Sequence, residues 1–87
     1  MSTALHFYTR ADCHLCDDAR VVVGSVLADR DDVTFHEIDI DAPDTPADLR
    51  ARYDWDVPVV VLDGRQHSVH RVDAGRLRSA LDRLAAR

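Results

Sequence analysis

The chain has 87 residues and a formal net charge of −5, from eleven basic residues, all arginine, against sixteen acids, all aspartate except Glu37. A chain of this length makes one domain, residues 1–87, and buries only about 60–65% of its unfolded surface, so a compact sheet-and-helix layer is expected. Interspersed charges without a basic stripe exclude nucleic acid as a partner. No apolar run reaches the roughly 18 residues of a membrane span, and the start carries no signal-peptide pattern. A cytoplasmic protein with no membrane partner, working as a monomer, is the expectation.

In chain order, Ala4 to Thr9 alternates Leu5 and Phe7 with His6 and Tyr8, which predicts a short strand. Arg10-Ala11-Asp12 is a turn. From His14 to Ala28 apolar residues fall at Leu15, Ala19, Val22 and Val26 and at Cys16, Val23 and Leu27, the spacing of a helix with one buried stripe. Asp17 and Asp18 stand in its first turn, favoured by the helix dipole. Val33 to Ile40 predicts a second strand. A loop then runs to a helix start capped by Asp44 or Thr45, with Pro46 at the first helical position and the helix over 47–53. Val57 to Leu62 reads as a central strand entered through Pro58, apolar on both faces. Asp63-Gly64 is a hairpin turn, and Gln66 to Val72 pairs back as a polar edge strand. Asp73 caps a last helix whose Leu77, Ala80, Leu81 and Leu84 form one stripe. The order is βαβ followed by ββα, an α/β fold with a four-stranded mixed sheet and three helices on its two faces.

Both cysteines fall where the first strand hands over to the first helix. Two cysteines with two residues between them make a poor staple for a secreted fold; in a reducing compartment they read as redox-active or metal-binding. The redox reading requires Cys13 in the exposed turn and Cys16 one helical turn in and more buried. Free backbone N–H groups at a helix start stabilise an anion, and the thiolate is the nucleophilic form of cysteine. Lowering a thiol pKa by about 2 units takes roughly 2.7 kcal/mol, which a helix terminus and one cation can supply; Arg10 is the candidate cation. His14, when protonated, also favours the thiolate, while Asp12, Asp17 and Asp18 oppose it. Cys13 is then the nucleophile and Cys16 the resolving thiol. A shared zinc site with His67 and His70 is disfavoured, because residues three apart on a strand point to opposite faces.

Pro58 belongs at the start of its strand, where it costs no ladder hydrogen bond. A cis Val57–Pro58 bond there would present the Val57 backbone as a peptide-like edge beside the cysteines.

Phe7-Tyr8-Thr9-Arg10 followed by Cys13-His14-Leu15-Cys16, and Asp56-Val57-Pro58-Val59 followed by Asp63-Gly64, resemble the glutaredoxin branch of the thioredoxin superfamily over nearly the whole chain. The nearest resemblance is to small glutaredoxin-like proteins with C-x-Leu-Cys followed by Asp17 and Ala19. It implies a thioredoxin-like fold, a cis Pro58, Cys13 as nucleophile and Arg10 in contact with the thiolate or a thiol ligand. Two departures stand out. His14-Leu15 replaces the usual Pro-Tyr, and Val69-His70-Arg71-Val72-Asp73 replaces the Gly-Gly-x-Asp that holds glutathione, with Asp73 alone standing in for the acid. Disulfides of proteins or small thiols are the expected substrates. The reductant is left open between a low-molecular-weight thiol (glutathione or an analogue) and a protein reductase, with no tightly bound cofactor and no metal. Leu15, Trp55, Val57, Pro58 and Asp73 are the expected substrate- or thiol-binding residues. An iron–sulfur carrier and a non-catalytic interaction module of the same fold are the alternatives.

Overall fold

The computed structural model describes residues 2–87. Seven elements follow one another: β1 (Thr3–Thr9), α1 (His14–Leu27), β2 (Val33–Asp39), α2 (Ala47–Tyr53), β3 (Val59–Leu62), β4 (Arg65–Val69) and α3 (Ala74–Ala85). The strands form one sheet in the order β2-β1-β3-β4. β1 runs parallel to β2, as a βα crossover requires, and antiparallel to β3, which pairs antiparallel with β4.

Strand alternation divides β1 between two cores. Leu5 and Phe7 point with Val60 and Leu62 to one face, where Ala19, Val23 and Val26 of α1 and Leu77, Ala80 and Leu81 of α3 cover them. The other face, with Val59 and Val61, gathers Ile40, Tyr53, Val57 and Cys16, and Tyr8 and Leu49 pack against it. All four residues of β3 are buried, because it is internal to the sheet and covered on both sides. Asp63 and Gly64 both have positive φ, 47° and 82°, the geometry of the hairpin turn their sequence announces.

Several boundaries and faces differ from the sequence reading. β3 begins at Val59, since Pro58 has no N–H to give the ladder. β4 ends at Val69, because His70 turns into the left-handed region at φ 65°. Neither Asp44 nor Thr45 caps α2: Pro46 is the cap residue and makes no side-chain bond, while the Thr45 hydroxyl is taken by the Asp39 carbonyl at 2.7 Å. In α1, Leu15 is exposed, and Val22 and Leu27 are only half-buried, because the buried face runs through Cys16, Ala19, Val23 and Val26 and these three lie at its margin. Phe35 is exposed too, on the edge strand β2.

Candidate active site

Cys13 is the N-cap residue of α1, with extended backbone at φ −114° and ψ 107°. An N-cap side chain accepts from the free amides of the first turn, and here the acceptor is sulfur: Cys13 Sγ receives the Cys16 N–H at 3.1 Å. The helix is anchored at the same residue by the Asp17 N–H donating to the Cys13 carbonyl, 3.0 Å. Asp12, at φ 57°, makes the sharp turn that brings the chain out of β1 into this cap; aspartate is among the few residues that tolerate that region. Cys13 and Cys16 are joined as a disulfide, their Cα atoms 5.2 Å apart. Cys16 is fully buried and Cys13 half-buried. Cys13 therefore reaches the surface and Cys16 stands behind it.

Val57 and Cys16 share one apolar cluster, against which Cys13 packs, and Pro58, next to Val57, is fully buried. The Val57–Pro58 bond is cis. On either side of Val57 the carbonyls of Asp56 and Pro58 both accept from the His70 N–H, at 3.3 and 2.8 Å, whereas the Val57 N–H and C=O have no partner among the described residues. His70 holds this loop a third time through Nε2 and the Trp55 carbonyl at 2.9 Å. That role was invisible in the sequence, where His70 stood only as a disfavoured metal ligand and as part of the segment that replaces Gly-Gly-x-Asp. Among the described residues no three His, Cys, Asp or Glu side chains gather as a metal site.

Arg10 sits beside the cysteine turn but is committed elsewhere. Its guanidinium makes a bidentate pair with Asp41 (3.0 and 3.0 Å) and bonds the Asp54 carbonyl (2.8 Å) and carboxylate (2.9 Å). These bonds raise the Arg10 pKa above its ordinary value, and they hold Asp41 below the usual carboxylate range. The arginine thus ties the end of β1 to the loops after β2 and after α2, and its charge is matched by two carboxylates. His14 is exposed between the cysteines. Trp55 stands out from the surface at 87% exposure and Leu15 at 38%. Asp73 caps α3, its Oδ2 accepting the Arg76 N–H at 2.8 Å. Tyr8 and Tyr53 pack together with centroids 4.6 Å apart, a structural pair. A groove of about 250 Å³ opens beside the cysteines between Leu15, Asp18, Ala19 and Val22 of α1 and the segment His70 to Val72.

The titratable groups make stability rise with pH. Asp32, Glu37 and Asp41 are held below their ordinary range chiefly by hydrogen bonds from Arg30, Arg20 and Arg10. A carboxylate lowered on folding stabilises above its unfolded value, about 4, and loses that contribution as pH falls through the folded value. His67 is lowered mainly by burial, with Arg76 and Arg83 nearby. The unfolded chain therefore takes up that proton first, and stability begins to fall as pH drops below about 6.5. The urea midpoint is expected to decrease from pH 7.5 to 5.5 and again below pH 4, with His67→Gln removing the first step. A midpoint higher at pH 5.5 than at 7.5 contradicts this.

Residues 4–82 match the family model described as Glutaredoxin-like domain (DUF836). The protein Rv0508 of Mycobacterium tuberculosis is 38% identical over 80 residues, 86% of this chain and 78% of its own. Among solved structures, the protein XcR50 of X. campestris is 36% identical with a TM-score of 0.71, covering 91% of this chain and 96% of its own. Chloroplastic thioredoxin z, 16% identical, superposes with a TM-score of 0.77 over 99% of this chain and 80% of its own. The last likeness bears on the fold alone, which is thioredoxin-like.

Proposed function

The chain belongs to the glutaredoxin-like domain family (DUF836), and on that basis we propose that it is a dithiol thiol–disulfide oxidoreductase with Cys13 as nucleophile and Cys16 as resolving thiol. The observation that carries the reading is the sulfur cap: Cys13 Sγ accepts a backbone N–H at the start of a 14-residue helix, with Cys16 buried behind it. Such a position favours the thiolate.

In the reduced protein the Cys13 thiolate attacks one sulfur of a substrate disulfide. The substrate S–S bond breaks, and its leaving sulfur takes a proton from water. Cys16 then gives up its thiol proton and attacks Cys13 Sγ; the mixed disulfide breaks, and the second substrate sulfur leaves and is protonated. The substrate gains two electrons and two protons, and the Cys13–Cys16 bond remains. A protein dithiol reductase, or two molecules of a small thiol such as glutathione or an analogue, returns them and is itself oxidised to a disulfide. A reducing compartment, the cytoplasm, supplies such donors.

Leu15, Trp55 and the unpaired Val57 peptide group are the substrate contacts in this reading, with Pro58 fixing Val57. His14, between the two cysteines, tunes the field at the sulfur. Arg10 holds the surrounding loops through Asp41 and Asp54 instead of contacting the thiolate, and Asp73 Oδ1 remains for the amino group of a small thiol. The test is reduction of insulin or a small disulfide by catalytic amounts of the protein with a thiol donor. Turnover above the donor alone is expected; a rate equal to the donor's own, with every donor supplied, contradicts the proposal.

A further inference from the structure

Trp55 is the largest apolar side chain on the surface, and it enters no ring or cation contact among the described residues. Its backbone is not loose. The Trp55 carbonyl is held by His70 Nε2, and the next residue's carbonyl by the His70 N–H. The indole is therefore presented from a pinned loop, two residues ahead of Val57, which shares a cluster with the sulfurs. Leu15, the second exposed apolar side chain of this region, lies between the two cysteines. Together they make an apolar rim around the redox pair, the kind of surface that a protein partner covers.

The charges around this rim are mostly of one sign. Asp54 and Asp56 flank Trp55, Asp12 precedes Cys13, and Asp18 lines the groove beside Leu15. Asp12, Asp18 and Asp56 form no ion pair among the described residues, while Asp54 shares Arg10 with Asp41. The cations here are that same Arg10, already matched by two carboxylates, and Arg71, which shares the groove with Asp18. An anionic ligand thus meets net repulsion and finds Arg10 occupied. A cationic one meets the carboxylates of Asp12, Asp18 and Asp56, unpaired among the described residues, and an exposed indole, with which guanidinium and ammonium groups gain a further cation–π attraction.

We propose that the rim of Leu15 and Trp55 around the Cys13–Cys16 pair, edged by Asp12, Asp18, Asp54 and Asp56, docks a protein disulfide flanked by arginine or lysine. This rests on the oxidoreductase reading and names its substrate class. Electrostatic complementarity of this kind acts mainly on the encounter rate and on the choice of partner, and it is screened by salt.

Two peptides of equal length, each closed by one internal disulfide and differing only in Lys or Glu at the flanking positions, test it, with bis(2-hydroxyethyl) disulfide as an uncharged reference. At low ionic strength kcat/KM for the Lys peptide is expected to exceed that for the Glu peptide by about tenfold or more, and the ratio to shrink severalfold in 0.5 M salt. Asp56→Asn and Trp55→Ala each lower the ratio. Equal rates, or a faster Glu peptide at low salt, overturn the docking proposal while leaving the oxidoreductase reading intact. Failure to reduce both peptides and the uncharged disulfide overturns that reading, and this one with it.

Discussion

Cys13→Ser is expected to bring disulfide reduction down to the rate of the donor alone, whereas Cys16→Ser keeps the first step and stops at the second. The asymmetry follows from the two sulfurs' positions. Cys13 is half-exposed at the helix cap, so a substrate sulfur reaches it; Cys16 has no exposed surface and reaches only Cys13. Serine at 13 replaces the sole accessible nucleophile by a hydroxyl that does not ionise near neutral pH. Serine at 16 removes the resolving thiol, so the mixed disulfide at Cys13 persists and is seen by mass spectrometry as the protein plus half the substrate. An external thiol then releases it slowly. Equal turnover in the two variants, or adducts trapped on Cys16 in the Cys13→Ser protein, contradicts the assignment.

The second large effect lies in the core. Phe7 is fully buried in the middle of β1, beneath α1 and α3, and it is the largest side chain of that cluster. Truncation of a buried phenylalanine to alanine costs about 3–5 kcal/mol, the lost transfer energy plus the cavity. A domain of this size has only about 5–15 kcal/mol in all, and about 1 kcal/mol moves its midpoint temperature by roughly 4–8 °C. Phe7→Ala is therefore expected to lower the thermal midpoint by roughly 15–30 °C or to prevent folding at 37 °C. Val21→Ala, at a position 73% exposed on α1, is the matched control and should stay within about 0.5 kcal/mol. Calorimetry or urea titration distinguishes them; comparable losses in the two variants contradict this account of the core.

What was legible in the sequence was what period and punctuation encode. Alternation gave β1, three-to-four spacing gave α1 and α3, and Asp63-Gly64 gave the hairpin. The coincidence of Cys13 with a strand-to-helix junction located the sulfur pair, since the cap position follows directly from where the helix period begins. Sheet-edge effects were not legible. Phe35 alternates like a buried residue, yet it is only partly covered, at 42% exposure, because β2 ends the sheet and strand order depends on contacts distant in sequence. Leu15 continues the helical period but lies at the margin of the face that buries Cys16, Ala19, Val23 and Val26, a distinction that spacing alone does not make. The partners of Arg10 were hidden likewise: Asp41 and Asp54 lie 31 and 44 residues away, and no local pattern joins them. His70 was hidden by its backbone, since its anchoring of residues 55–58 depends on a positive φ, uncommon outside glycine and announced by no local pattern here.

The proposed reactivity of Cys13 rests on the helix-start amides holding a negative charge at its sulfur. Its most direct test is the pH dependence of alkylation of the reduced protein by iodoacetamide, with the modified residue identified by peptide mapping. The expected result is Cys13 alkylated first, with a rate that is already near its plateau at pH 7, while Cys16 stays protected. A Cys13 rate that rises only around the ordinary thiol value of about 8.5, or faster modification of Cys16, would contradict it.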